Sequence, residues 1–216
     1  MLTRSCVVVA CIATVAATGS VKAAIVQVQI NGTVAFNAFT SQPLAGVHAN
    51  DAAKITFLVD SNNFVNSPSF PTRGYAIDKT SFMFTMGAVT IGLENPYPAG
   101  QTPFFVLRNN DPAVDGFLIS ESVDQPAGVD TSVNNVNLAF LATYGPNLLS
   151  SLNILDAVGT YNLAGLTVFN WTLDVGPSSP LEVNYQSMTI SVVPTPATLA
   201  VFMSALALGG RRRRTS

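Results

Sequence analysis

Residues 26–36 read VQVQINGTVAF. Val26, Val28, Ile30, Val34 and Phe36 fall on every second position, with Gly32 in the same series. Gln29, Asn31 and Thr33 lie between them. Successive side chains of a strand point to opposite faces, so this alternation predicts a strand buried on one side and wet on the other. The same period returns at Ile55, Phe57 and Val59, at Phe82, Phe84 and Met86, and at Val89, Ile91 and Leu93. It recurs at Val136, Leu138 and Phe140, and through Phe169, Trp171, Leu173 and Val175.

The prolines outside the two ends, such as Pro43, Pro68, Pro103 and Pro146, all lie between these runs, where a missing backbone donor does no harm. Met86-Gly87-Ala88-Val89 joins two alternating runs and predicts a tight hairpin with Gly87 supplying the unusual backbone angle. In residues 181–192 the apolar phase slips: Leu181, Val183 and Tyr185 are odd, whereas Met188, Ile190 and Val192 are even. One extra residue near Gln186-Ser187 restores the facing, which predicts a bulge or bend there. The only stretch of helical character is Asn147 to Leu155, short and without a clean apolar face. About nine strands with Pro-, Gly- and Asn-rich connections predict an all-β fold, an antiparallel β-sandwich or jelly-roll-like single domain over residues 24–192.

The two ends are of a different kind. Residues 1–23 carry Arg4, then an uncharged Val- and Ala-rich stretch, then Val21-Lys22-Ala23, a small-residue cleavage pattern. This reads as a secretory signal peptide cut after Ala23, handled by the Sec translocon. Val8-Val9-Ala10-Cys11 has the form of a lipoprotein box, but the apolar region continues beyond Cys11. At the other end, residues 193–216 read VPTPATLAVFMSALALGGRRRRTS. Residues 197–210 carry no charge and would span about 21 Å as a helix at ~1.5 Å per residue. That is short for a hydrocarbon core of about 30 Å. Arg211, Arg212, Arg213 and Arg214 supply a cytoplasmic basic flank, so a short transmembrane helix is expected, with the body outside. The alternative is a packed C-terminal helix with a solvated basic end, which a uniformly apolar run suits poorly.

Both cysteines, Cys6 and Cys11, lie in the leader, so residues 24–192 hold no thiol and no disulfide. The same span carries all twelve acidic residues against Lys54, Arg73, Lys79 and Arg108, a formal net charge near −8. Such a body excludes nucleic acid as a partner, because phosphates require a positive face. It also disfavours adhesion to anionic membrane surfaces.

Signal peptide, Pro-x-Pro, short apolar run and terminal arginine cluster, in that order, resemble PEP-CTERM proteins of Gram-negative bacteria. The family motif is Val-Pro-Glu-Pro; here Val193-Pro194-Thr195-Pro196 carries threonine in place of glutamate. The resemblance implies recognition by an exosortase, a membrane-embedded processing enzyme. It further implies association with the envelope and extracellular polysaccharide.

Candidate chemistry within the body is sparse. His48, the only histidine, stands in LAGVHANDA with Asp51 three residues on, but no nucleophile occupies a recognisable elbow. Pairs drawn from Asp111, Asp115, Glu121 and Asp124 have no cleft to define them as glycosidase carboxylates. Asp111 and Asp115 are weak candidates for a hard cation, although their spacing departs from a calcium loop and the segment is rich in turn formers. Tyr97, in ENPYPAGQTPFF ahead of Phe104 and Phe105, is a candidate surface for stacking a sugar ring. Trp171 alternates with Phe169 and Leu173 and is assigned to the core. The sequons at Asn31 and Asn170 lie in expected strands and are set aside. The expectation is an exported protein of the cell surface or matrix, without catalysis, metal or cofactor. Its role would be structural or adhesive beside polysaccharide; a carbohydrate-binding module is the alternative.

Overall fold

The computed structural model describes residues 23–40, 42–120, 137–166, 171–174 and 181–194. The expected signal peptide up to Lys22, Thr195, Pro196, the apolar run and the four arginines lie outside them. Among the described residues no helix is long and apolar enough to cross a membrane.

The protein is all-β and antiparallel. Its strands are β1 (Ile25–Asn37), β2 (Ala52–Asn66), β3 (Thr72–Ile77), β4 (Met83–Met86), β5 (Val89–Ile91) and β6 (Phe104–Arg108). They continue with β7 (Asp115–Ser120), β8 (Asn137–Leu138), β9 (Leu141–Tyr144), β10 (Gly159–Asn162), β11 (Trp171–Asp174) and β12 (Leu181–Val192). All belong to one curled sheet with the order β8-β11-β12-β1-β2-β3-β6-β7-β9; β10 adds to β12, and the β4–β5 hairpin adds to β2.

The curl returns on itself through residues 137–144. On one side of this segment Leu138 pairs with Leu173, and the Ala139 amide donates to the Thr172 carbonyl at 2.9 Å. On the other, the Ile119 amide donates to the Phe140 carbonyl at 3.0 Å, and Ala142 pairs with Phe117. The first and last members of the strand order are therefore consecutive pieces of one extended segment, and the hydrogen-bond ladder runs round the interior.

The core fills that interior. Val26, Val28, Ile30 and Val34 of β1 face inward, as do Ala53, Ile55, Phe57 and Val59 of β2, all at or below 3% exposure. A row of aromatics crosses from wall to wall. Phe82 and Phe57 stand 6.1 Å apart, Phe57 and Phe105 5.4 Å, Phe105 and Phe117 5.9 Å, and Phe117 and Tyr161 4.7 Å between ring centroids. Burying each such side chain stabilises by about 1.5–3 kcal/mol.

Two irregularities adjust β1 against β12. Asn31 pairs with Ser187 and Gly32 with Tyr185, so Gln186 is the extra residue of a bulge. This is the phase slip expected near Gln186-Ser187. A Cβ at position 32 would collide with the Asn184 carbonyl, which accounts for glycine in an otherwise bulky inward series. A second irregularity follows, with Val34 opposite Val183 and Phe36 opposite Glu182. It leaves Ala35 unopposed and turns Phe36 outward, to 49% exposure, against the inward position its parity predicts. The β4–β5 hairpin is present as expected, with Gly87 at φ 55°.

Residues 147–155 are not helical. Asn147 has φ 69°, and the side chains of Ser151 and Asn153 accept from the Asn153 and Leu155 amides at 2.9 and 3.2 Å. These local bonds hold the segment in successive turns and take up amides that a helix would use. Among the described residues the one helical element is a 3₁₀ turn at Leu44–Gly46.

Candidate functional site

The residues singled out in the sequence do not converge. His48 is a surface residue: its amide donates to the Asp51 carboxylate at 2.8 Å, and its Nδ1 stands 3.9 Å from the same oxygen. This closes the turn between β1 and β2. Asp111 and Asp115 divide into different roles. Asp115 is fully buried, and its two oxygens accept the amides of Asn110 and Leu149, each at 2.7 Å. Asp111 lies beside Arg108, with Nε–Oδ2 at 3.5 Å, while the Arg108 guanidinium also donates to the Asp111 carbonyl at 2.9 Å. Both carboxylates thus hold a turn and its neighbour together. Among the described residues no three His, Cys, Asp or Glu side chains gather as a metal site.

Tyr97 is half-buried and packs against the main core. The Lys79 ammonium lies 4.4 Å above its ring and donates to the Gln101 carbonyl at 3.2 Å. A sugar stacking on that face would have to displace Lys79. Phe105 is wholly inside, and Phe104 packs over Gly74 on the outer side of β3 and β6. The Trp171 side chain lies outside the described residues.

Among the described residues, two clefts lie at irregularities of the strands. A cleft of about 430 Å³ opens where β2 changes partner, lined by Ile25, Asp60, Asn63, Ile77 and Asp78 among others. The β2–β3 ladder is interrupted there: Val59 pairs with Ile77 and Phe64 with Tyr75, so residues 60–63 stand opposite Ala76 alone. A second, of about 320 Å³, lies at the Gln186 bulge beside Leu163, Gly165 and Tyr185. The ends of the body meet near the first cleft: the Val193 amide donates to the Ile25 carbonyl at 2.8 Å, and the Ser61 amide donates to the Ala24 carbonyl at 3.0 Å. Ala23 and Pro194 therefore leave the sheet from the same end.

The most extensive arrangement was not visible in the sequence. The outward positions of β10, β12, β1, β2, β4 and β5 fall into register across the strands. In one row Thr160 is opposite Thr189, Thr189 opposite Gln29, Gln29 opposite Thr56, and Thr56, itself covered at 6% exposure, opposite Met83. The next row runs Asn162, Ser187, Asn31, Lys54, Thr85 and Thr90. Lys54 is the single charged side chain in either row. Side-chain bonds link members of these rows. Gln29 donates to Asn31 at 3.0 Å and Asn31 to Ser187 at 3.4 Å, while the hydroxyls of Thr85 and Thr90 lie 3.1 Å apart and those of Thr160 and Thr189 3.3 Å. The sequence offered half the signal, in Gln29, Asn31 and Thr33 between the apolar residues of β1. The other half is the pairing, which joins residues as far apart as Asn31 and Ser187. No protein-family model, curated protein or solved structure matches this chain.

Proposed function

We propose that this chain is an exported, non-catalytic protein of the cell surface or extracellular matrix, with a structural or adhesive role linked to exopolysaccharide. The observation that carries the reading is the four-part order of leader, Val193-Pro194-Thr195-Pro196, apolar run and Arg211–Arg214. An exosortase-like enzyme and the Sec translocon are the partners this reading requires, with the membrane holding the precursor through residues 197–210. The exit of Ala23 and Pro194 from one end of the sheet suits a tethered body, since both flanking segments then lead toward one side. In this reading the curled antiparallel sheet is a jelly-roll-like single domain. The carbohydrate-binding module is the second reading, and the outward rows of β1 and its neighbours, polar and charged only at Lys54, favour it.

Processing tests the first reading. In an exosortase-bearing Gram-negative host the precursor should fractionate with membranes and the released protein should lack the arginines. Replacing Pro194 and Pro196 with alanine should leave membrane association intact and block the loss of mass. A released chain that still ends in the arginines overturns the sorting route.

A further inference from the structure

We infer that the outward face of β10, β12, β1, β2, β4 and β5 is a binding surface for an extended, uncharged polysaccharide. The inference rests on the polysaccharide-linked reading above and assigns to it a place and a ligand class.

Three features of the face select that occupant. The first is chemical. Hydroxyl and carboxamide groups both donate and accept, as sugar hydroxyls do, so the Thr160–Thr189–Gln29 row and the Asn162–Ser187–Asn31 row can match a glycan at repeated points. Strands stand about 4.8 Å apart, so six of them carry the second row over about 24 Å, enough for a chain of several sugars.

The second is charge. Lys54 is the lone charge of the two rows, while the carboxylates of Asp60 and Glu182 lie further along β2 and β12 on a body of net charge near −8. An acidic polymer gains one cation and meets a repelling field; a neutral polymer meets no such penalty. A second copy of the chain is a poor occupant too, because stable self-association favours an apolar interface centre and the rows offer only Met83.

The third is order. The bonds Gln29 to Asn31, Asn31 to Ser187, Thr85 to Thr90 and Thr160 to Thr189 hold the side chains in place before any ligand arrives. These bonded side chains have less rotamer freedom to lose on binding. With no aromatic in either row, each contact is weak and the affinity comes from many of them.

Affinity electrophoresis of the full-length protein in mild detergent provides the test. The gels contain dextran, a β-1,3-glucan or a β-1,4-glucan, with a uronic-acid polymer as the charged counterpart. At least one neutral glucan should retard the protein, and raising the salt should not relieve the retardation. Thr160→Glu places a charge on an exposed position of the face, and Asn31→Ala removes the bonds to Gln29 and Ser187. Each should weaken retardation about tenfold, while Ser69→Glu, on the distant β2–β3 turn, should not. Unfolding midpoints are measured alongside, and Asn31→Ala, which adds no charge, decides if Thr160→Glu does not fold. Undiminished retardation of folded Asn31→Ala and Thr160→Glu overturns the assigned face and leaves the polysaccharide reading standing. Retardation by the uronic-acid polymer alone overturns the ligand class. No retardation by any polymer overturns both the face and the reading beneath it.

Discussion

Asp115 shows what a single buried polar group does for this chain. It opens β7, and each carboxylate oxygen holds one backbone amide, that of Asn110 in its own turn and that of Leu149 in a segment 34 residues away. Tyr75 plays the same part nearby, donating to the Leu152 carbonyl at 2.8 Å and accepting from the Ile154 amide at 2.9 Å. Two buried side chains therefore tie residues 147–155, which have no regular structure of their own, to the walls of the core. Asp115→Ala strands the buried Leu149 amide, at a cost of about 1–3 kcal/mol, and removes the acceptor of the amide of Asn110, a surface residue. The variant should lose about 2 kcal/mol in urea unfolding, and Asp115→Asn less, because one carbonyl oxygen remains to accept. Tyr75→Phe should cost about 1–3 kcal/mol by the same measurement. An Asp115→Ala midpoint equal to that of the parent would show that these amides find water instead.

At the scale of elements, the bulge at Gln186 decides which face of β12 is buried. Leu181, Val183 and Tyr185 lie before it, Met188 and Ile190 after it, and all five face the core. Deleting Gln186 makes the strand continuous, so one set or the other must turn outward. The deletion variant should lose cooperative unfolding and aggregate, whereas Gln186→Ala, which keeps the count, should fold with a midpoint close to the parent's. A soluble deletion variant with a sharp transition would mean that β12 slides without cost. Gly32→Ala should be damaging too, since its Cβ would strike the Asn184 carbonyl. The bulge was legible because its signature is local: an apolar series changes parity within one strand. The hairpin at Gly87 was legible for the same reason. Phe36 was misplaced because the irregularity at Ala35 is set by how β1 meets β12 and leaves no mark on β1 itself. Residues 147–155 misled because Leu148, Leu149 and Leu152 resemble one turn of a helix, while the bonds that unmake it come from Ser151, Asn153 and the distant Asp115 and Tyr75. The polar face was illegible for a further reason, since its rows exist only once six strands are in register.

For the whole molecule, the ladder that returns through residues 137–144 makes the walls interdependent, and the half-buried and buried phenols packed on it predict a pH-dependent stability. Tyr144 and Tyr161 both pack on Phe117, their rings 6.4 Å apart. Tyr144 donates to the Asn162 carbonyl at 2.9 Å and Tyr161 to the Ala157 carbonyl at 2.7 Å. Burial, and secondarily the neighbouring Tyr161, push the Tyr144 hydroxyl up from 10.0 to about 12. Burial raises Tyr161 as well. Tyr185, fully enclosed beside Phe140, is raised further by burial, although its bond with the Thr172 hydroxyl works the other way. In each case the folded protein holds its proton more tightly than the unfolded chain, which ionises near pH 10. Below that pH both states are neutral and the full stability is present. Above it the unfolded chain releases protons first, so stability falls as pH rises toward 12 and beyond. The urea midpoint, flat with respect to tyrosine ionisation below about pH 9, should decline from about pH 10, with phenolate absorbance rising together with loss of the β signal. No cysteine lies in residues 24–192, so reducing agent should leave the curve unchanged. Tyr185→Phe removes the most strongly raised group and leaves its ring contacts in place. It should cost about 1 kcal/mol at neutral pH through the lost bond to Thr172, yet show a shallower decline above pH 10. A Tyr185→Phe variant that declines as steeply as its parent would place the alkaline limit elsewhere, with the Tyr144–Tyr161 pair as the next to be changed to phenylalanine.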